Sequence, residues 1–89
     1  MGKEIQDILT YLIKDTFGGT KYTQYTLPQM KTTVETYING ELKKRNIKSG
    51  NAEYNKLKRF ISKTKAASSK EQILTYLSET LLTLGGFTV

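Results

Sequence analysis

The chain contains neither cysteine nor histidine. Disulfides, zinc sites built on those ligands, thiol nucleophiles and imidazole acid–base chemistry are therefore all excluded. Other catalytic arrangements are equally thin. The eight acids are scattered, without the paired spacing that carboxylate hydrolysis or a carboxylate-held metal needs. There is no GxxxxGK[ST] phosphate loop, and neither Gly18-Gly19 nor Gly85-Gly86 sits in a phosphate-binding fingerprint after a strand pattern. A tyrosine nucleophile of the recombinase type would need clustered arginines, and only Arg45 and Arg59 exist. These absences point away from an enzyme and away from a resident metal or cofactor.

Long apolar runs are also missing. No stretch approaches the roughly 20 residues that span a bilayer. The opening MGKEIQD lacks a signal peptide's apolar segment, and Gln6 stands where N-myristoylation calls for Ser or Thr. The expectation is a soluble cytoplasmic protein. With 89 residues the chain can build one modest core and not two, so residues 1–89 are expected to form a single domain.

Negative charge is nearly absent from one segment. Ten basic residues fall between Lys43 and Lys70, against Glu53 alone, whereas the remainder carries four basic and seven acidic residues. The heart of this segment is 51–65, NAEYNKLKRFISKTK. Wound as a helix at about 100° per residue, it places Tyr54, Leu57, Phe60, Ile61 and Thr64 on one side. Lys56, Lys58, Arg59, Lys63 and Lys65 fill the remaining arc. Glu53 lies in the first turn, where the helix dipole favours an acid, so no carboxylate of this segment interrupts the cationic front.

The remaining elements follow from period and punctuation. In 3–17, Ile5, Ile8, Leu9, Leu12 and Ile13 mark one helix face, ended by Gly18-Gly19. The TKYTQYT stretch that follows reads as a loop packed by its tyrosines. Thr26 with Gln29 forms a capping box that tolerates Pro28 in the first turn, and Met30, Val34, Tyr37, Ile38 and Leu42 then keep helical spacing to about Arg45. Asn39-Gly40 competes with this, because Asn-Gly is a strong hairpin signal after the strand-forming VETYI. Gly within a helix costs only about 1 kcal/mol relative to Ala, whereas a hairpin would break a good 3.6 period, so the helix is preferred and an α+β fold with a hairpin is the alternative.

The stretch 46–51 reads as a loop with Asn51 as the next N-cap, and Ser68 with Glu71 or Ser69 with Gln72 caps a last helix, whose face is Ile73, Leu74, Leu77, Leu81 and Leu84. Gly85-Gly86 is expected to stop it, and the closing Phe87, Thr88 and Val89 to fold back onto the bundle. The result is an all-α, small single-domain four-helix bundle, with helices near 3–17, 27–45, 52–66 and 70–84. Ile8-Leu9-Thr10-Tyr11-Leu12 recurs as Ile73-Leu74-Thr75-Tyr76-Leu77, but with one copy of the middle there is no solenoid period.

The functional expectation rests on charge. Lys56, Arg59 and Lys63 at i, i+3, i+7 are spaced to follow a phosphate backbone, with Asn55 and Ser62 between them as hydrogen-bonding groups. Lys43, Lys44, Arg45 and Lys48 lie just upstream and can flank the same surface. Lysine outnumbers arginine, which favours backbone attraction over bidentate guanine reading. The connection from Arg45 to Asn51 is longer than a helix-turn-helix allows. The expectation is a small regulatory protein that binds nucleic acid through phosphates with limited sequence specificity, DNA being favoured over RNA, and that takes no small-molecule substrate. The alternative is a bundle that binds an acidic protein. In size, charge and four short helices the chain resembles, by architecture alone, the bacteriocin immunity proteins of Gram-positive bacteria, a resemblance that implies a protein partner. Tyr22 and Tyr25 beside Lys21 offer stacking surfaces for unpaired bases, although closing over the core is the commoner use of such residues.

Overall fold

The computed structural model describes residues 3–84. Four α-helices follow one another, α1 (Lys3–Tyr11), α2 (Leu27–Lys44), α3 (Ala52–Ala66) and α4 (Lys70–Thr83), and no strand occurs among the described residues. The expected all-α bundle is the fold. The expected stop at Gly85-Gly86 and the fold-back of Phe87, Thr88 and Val89 lie outside the described residues.

The first helix departs from expectation at its end. Instead of continuing to Phe17 with one pitch, α1 passes into a single π-helical turn, Leu12–Thr16, closed by the Phe17 N–H donating to Leu12 O at 2.8 Å. The cause lies in Phe17. Five residues of α-helix would carry it about 140° around from Leu12, off the core face. The wider turn shrinks that offset and brings Phe17 back toward the side of Ile5, Ile8 and Leu12, where it is buried. Gly18 then lets the chain leave at close range, since a Cβ there would sit 2.2 Å from Lys14 O. Gly19 takes a left-handed φ of +63°, which glycine adopts without steric cost.

Where a tyrosine-packed loop was expected, Lys21–Gln24 forms one 3₁₀ turn. Tyr22 and Tyr25 pack against the core, and the Tyr25 ring meets Phe17 edge-on at 5.2 Å. These tyrosines close the core as expected of most such residues. Thr26 caps α2 with both halves of the capping box in place, Gln29 N–H to Thr26 Oγ1 at 3.2 Å and Thr26 N–H to Gln29 Oε1 at 2.9 Å. The helix runs straight through Asn39-Gly40, so the hairpin alternative is not the fold. It ends in a Schellman motif: Asn46 adopts φ 57°, its N–H reaches Lys43 O at 3.1 Å, and the Ile47 N–H reaches Leu42 O at 2.9 Å.

Asn51 Oδ1 caps α3 by accepting from the Glu53 and Tyr54 amides at 2.7 and 3.3 Å. Of the two candidates for α4, Ser69 is the N-cap, accepting from the Gln72 N–H at 3.2 Å. Gln72 returns the contact to Ser68 rather than to Ser69, so the reciprocal box is only half made.

Neighbouring helices run antiparallel. Lys31 near the start of α2 reaches Lys65 O at the end of α3 (2.9 Å), while Lys58 early in α3 reaches Asn39 Oδ1 late in α2 (2.9 Å). Gln6 early in α1 donates to Leu84 O just past α4. One hydrophobic core joins all four helices, built from the expected faces together with Phe17 and Ala67. Phe60 belongs to it, and Thr64 is buried beside it with its hydroxyl unpartnered.

Candidate nucleic-acid interface

The apolar side of α3 locks its opposite side outward. With Leu57, Phe60, Ile61 and Thr64 buried, helical geometry leaves Asn55, Arg59 and Ser62 on the exposed ridge. It also sets Lys56 and Lys63 on the flank facing α4, and Lys58 and Lys65 on the flank facing α2. The two flanks differ.

Toward α2 the cations are answered. Lys65 Nζ lies 2.8 Å from Glu35 Oε2, and Lys58 is held by Asn39 and lies 5.5 Å from the Tyr54 ring centroid. No carboxylate of α3 interrupts the front, as expected, but a neighbouring helix supplies one. Toward α4, Lys56 donates to Thr83 O at 3.2 Å, where the last carbonyls of a helix carry partial negative charge. Lys63 lies over the face of Tyr76, 5.7 Å from its centroid. Arg59 is exposed. Lys56, Arg59 and Lys63 line one groove of about 110 Å³ between α3 and α4, floored by Phe60 and closed on the α4 side by Glu79, Thr80 and Thr83.

The remaining expected residues fall elsewhere. Asn55 is exposed next to the groove. Ser62 is exposed with its hydroxyl donating to Lys58 O at 3.2 Å, which leaves its oxygen as an acceptor. Lys43, Lys44 and Lys48 are exposed around the α2–α3 connection, at the end of the bundle where α3 begins. Arg45 turns the other way: its Nε pairs with Glu41 at 3.0 Å and its guanidinium reaches Glu4 O at 3.4 Å, toward α1. Lys44 also approaches Glu41, at 4.0 Å. The structure thus gathers Lys56, Arg59 and Lys63 with Asn55 and Ser62, and separates Arg45 from them.

The α4 wall was not anticipated from the sequence. Tyr76, Glu79, Thr80 and Thr83 recur at i, i+3, i+4, i+7, the spacing of a single helix flank. Among the described residues no group of His, Cys, Asp or Glu could hold a metal, and no helix is long and apolar enough to cross a membrane. What the geometry offers is attraction for an anion with hydrogen-bonding groups around it. Comparison with protein-family models, with curated proteins and with solved structures finds no match, and the site stands on its own geometry.

Proposed function

We propose that this protein binds nucleic acid, DNA in the first instance, through the exposed ridge of α3 and the groove beside it, with phosphates as the main contacts. The observation that carries this reading is the convergence of Lys56, Arg59 and Lys63 on one groove, none of them held in an ion pair among the described residues. Cations already matched by carboxylates, such as Lys65, have less to offer a phosphate. Asn55 and Ser62 supply neutral hydrogen bonds along the same ridge, and Lys43 and Lys48 extend the positive field toward the α2–α3 connection. A net charge of +6 draws a polyanion from a distance.

A salt titration tests it. Binding that neutralises phosphates releases counterions, so log K should fall with log salt by roughly 0.9 per contact on duplex DNA and about 0.7 on single strands. Replacing Lys56, Arg59 and Lys63 by Ala together should weaken binding to every sequence and lower the slope by about two to three contacts. A variant losing Lys3, Lys14 and Lys21, equal in net charge, should keep most of the affinity. Equal losses in the two variants, or no binding by the unmodified protein at low salt, would overturn the reading in favour of an acidic protein partner.

A further inference from the structure

Phosphate binding alone leaves one member of the groove unexplained. Glu79 lines it together with Lys56, Arg59 and Lys63, where a carboxylate subtracts from the attraction for phosphate. None of the ion pairs among the described residues includes Glu79, and it is exposed, so both oxygens can accept hydrogen bonds from a ligand. The groove, about 110 Å³, is well below the roughly 300 Å³ of a typical small-molecule site. It has room for the edge of one flat ring, not for a whole metabolite. A ligand suited to it brings negative charge for the three cations and, one short step away, donors for a carboxylate.

A nucleotide meets both demands, and the donor pattern narrows the base. On its Watson–Crick edge guanine sets two donors side by side, N1–H and N2–H, matching the two oxygens of a carboxylate in the parallel fork seen where guanidinium meets carboxylate. Adenine, cytosine and thymine each set a donor beside an acceptor on that edge, so one oxygen of Glu79 would face a lone pair. In a duplex the edge is already occupied by the partner base. It becomes available in unpaired nucleotides, where proteins commonly read it.

We infer that the α3–α4 groove takes an unpaired guanine, with Glu79 accepting from N1–H and N2–H while Lys56, Arg59 and Lys63 hold the adjoining phosphates. The inference rests on the nucleic-acid reading above and narrows it from any strand to single strands that carry guanine. Duplex DNA then engages the same cations without the carboxylate's contribution.

The test compares three thymine-based single-stranded DNA oligonucleotides: one with a single central guanine, one with inosine in its place, which lacks only the N2 amino group, and one of thymine throughout. Fluorescence anisotropy of the full chain should show the guanine strand binding about tenfold tighter than the inosine strand, as loss of half a bidentate pair implies. Glu79→Gln should reduce that gap to less than about twofold, because the amide can no longer accept at both positions, while the protein's circular dichroism and melting temperature stay unchanged. Equal affinity for guanine and inosine strands in the unmodified protein, or a gap that survives in Glu79→Gln, would overturn the guanine assignment and leave phosphate-led binding standing. Absence of binding to all three strands and to duplex would overturn both.

Discussion

Ile-Leu-Thr-Tyr-Leu occurs twice, running from α1 into the π turn as Ile8–Leu12 and within α4 as Ile73–Leu77, and both copies turn their first and last residues to the core while their outward residues meet different surroundings. Ile8 and Leu12 in the first, like Ile73 and Leu77 in the second, have no exposed surface. Their tyrosines diverge. Tyr11 is 45% exposed and stacks on Tyr37 of α2 with 4.9 Å between ring centroids, and Tyr37 in turn feels the charges of Glu41, Arg45 and Asp15. Tyr76 is partly buried and covered by Lys63 of α3, at the edge of the basic groove. Register settles what is buried, and the neighbouring helix settles what the other side becomes. One pentapeptide therefore flanks a surface of mixed charge in one place and the candidate binding site in another.

The inward equivalence can be broken most directly at Leu12 and Leu77. Each is fully buried on a different helix, and replacement by Ala should cost about 2–5 kcal/mol, by lost transfer energy and the cavity left behind. Denaturant unfolding should return similar values for the two, and Ile61→Ala should fall in the same range. A loss below about 1 kcal/mol at either leucine would mean that the two copies of the pentapeptide do not face the core alike.

The helices also differ in how they end, and Gly18 sharpens that difference. A methyl group there would meet the Lys14 carbonyl at 2.2 Å and the Ile13 carbonyl at 2.9 Å, both backbone atoms that cannot rotate aside. Gly18→Ala should therefore destabilise by about 1–3 kcal/mol, the range for strained or overpacked sites, whereas Gly40→Ala, with nothing nearby, should stabilise by up to about 1 kcal/mol. Thermal melts of the two variants should move in opposite directions. Movement of both in the same direction would mean that the chain does not pass as close to Lys14 O as it does in the π-turn exit described above.

These contrasts show what could be read from the residues alone. Spacing of Ile, Leu and Val named the buried faces, and Thr26, Asn51 and the Ser68-Ser69 pair named helix starts, with the choice between the two serines left to the structure, because periodicity and capping are local and act within a few residues. Asn39-Gly40 posed a real conflict, resolved by Ile38 and Leu42, whose burial on either side holds the helix through it. The π turn escaped because Phe17 is off the face at α-helical pitch, and only its burial against distant residues rewards the change of winding. The cationic front of α3 was legible for the same local reason that its core face was. Its surroundings were not: Glu35 and the Thr83 carbonyl, which hold Lys65 and Lys56, come from α2 and α4, and Glu79, in no ion pair among the described residues, lines the groove from α4; charge counted along one segment does not reveal which helix will lie beside it. Arg45 was placed with the lysines around it, yet Glu41 four residues earlier is an i, i+4 partner that favours turning it away.

The smallest expected effect lies in the outward contrast and concerns Tyr37, the ring under Tyr11. Partial burial raises its pKa above the usual phenol value, with Glu41 adding to the rise and Arg45 opposing it. A phenol whose folded pKa exceeds its unfolded value of about 10 keeps its proton in the native state over a range where the unfolded chain has released it. The folded state then binds more protons, and stability must fall as pH increases through that range. Its contribution is complete below about pH 10 and is lost as pH climbs through the raised folded value. The melting temperature of the unmodified protein should accordingly drop more steeply above about pH 10 than that of Tyr37→Phe, which cannot ionise at this position, and the two should respond alike between neutrality and pH 9. Phenolate absorbance should show one fewer late-titrating tyrosine in the variant. If the alkaline decline is the same in both proteins, the Tyr11–Tyr37 pair sits in a more open setting than the stacked geometry gives it, and the contrast with the lysine-covered Tyr76 narrows to charge alone.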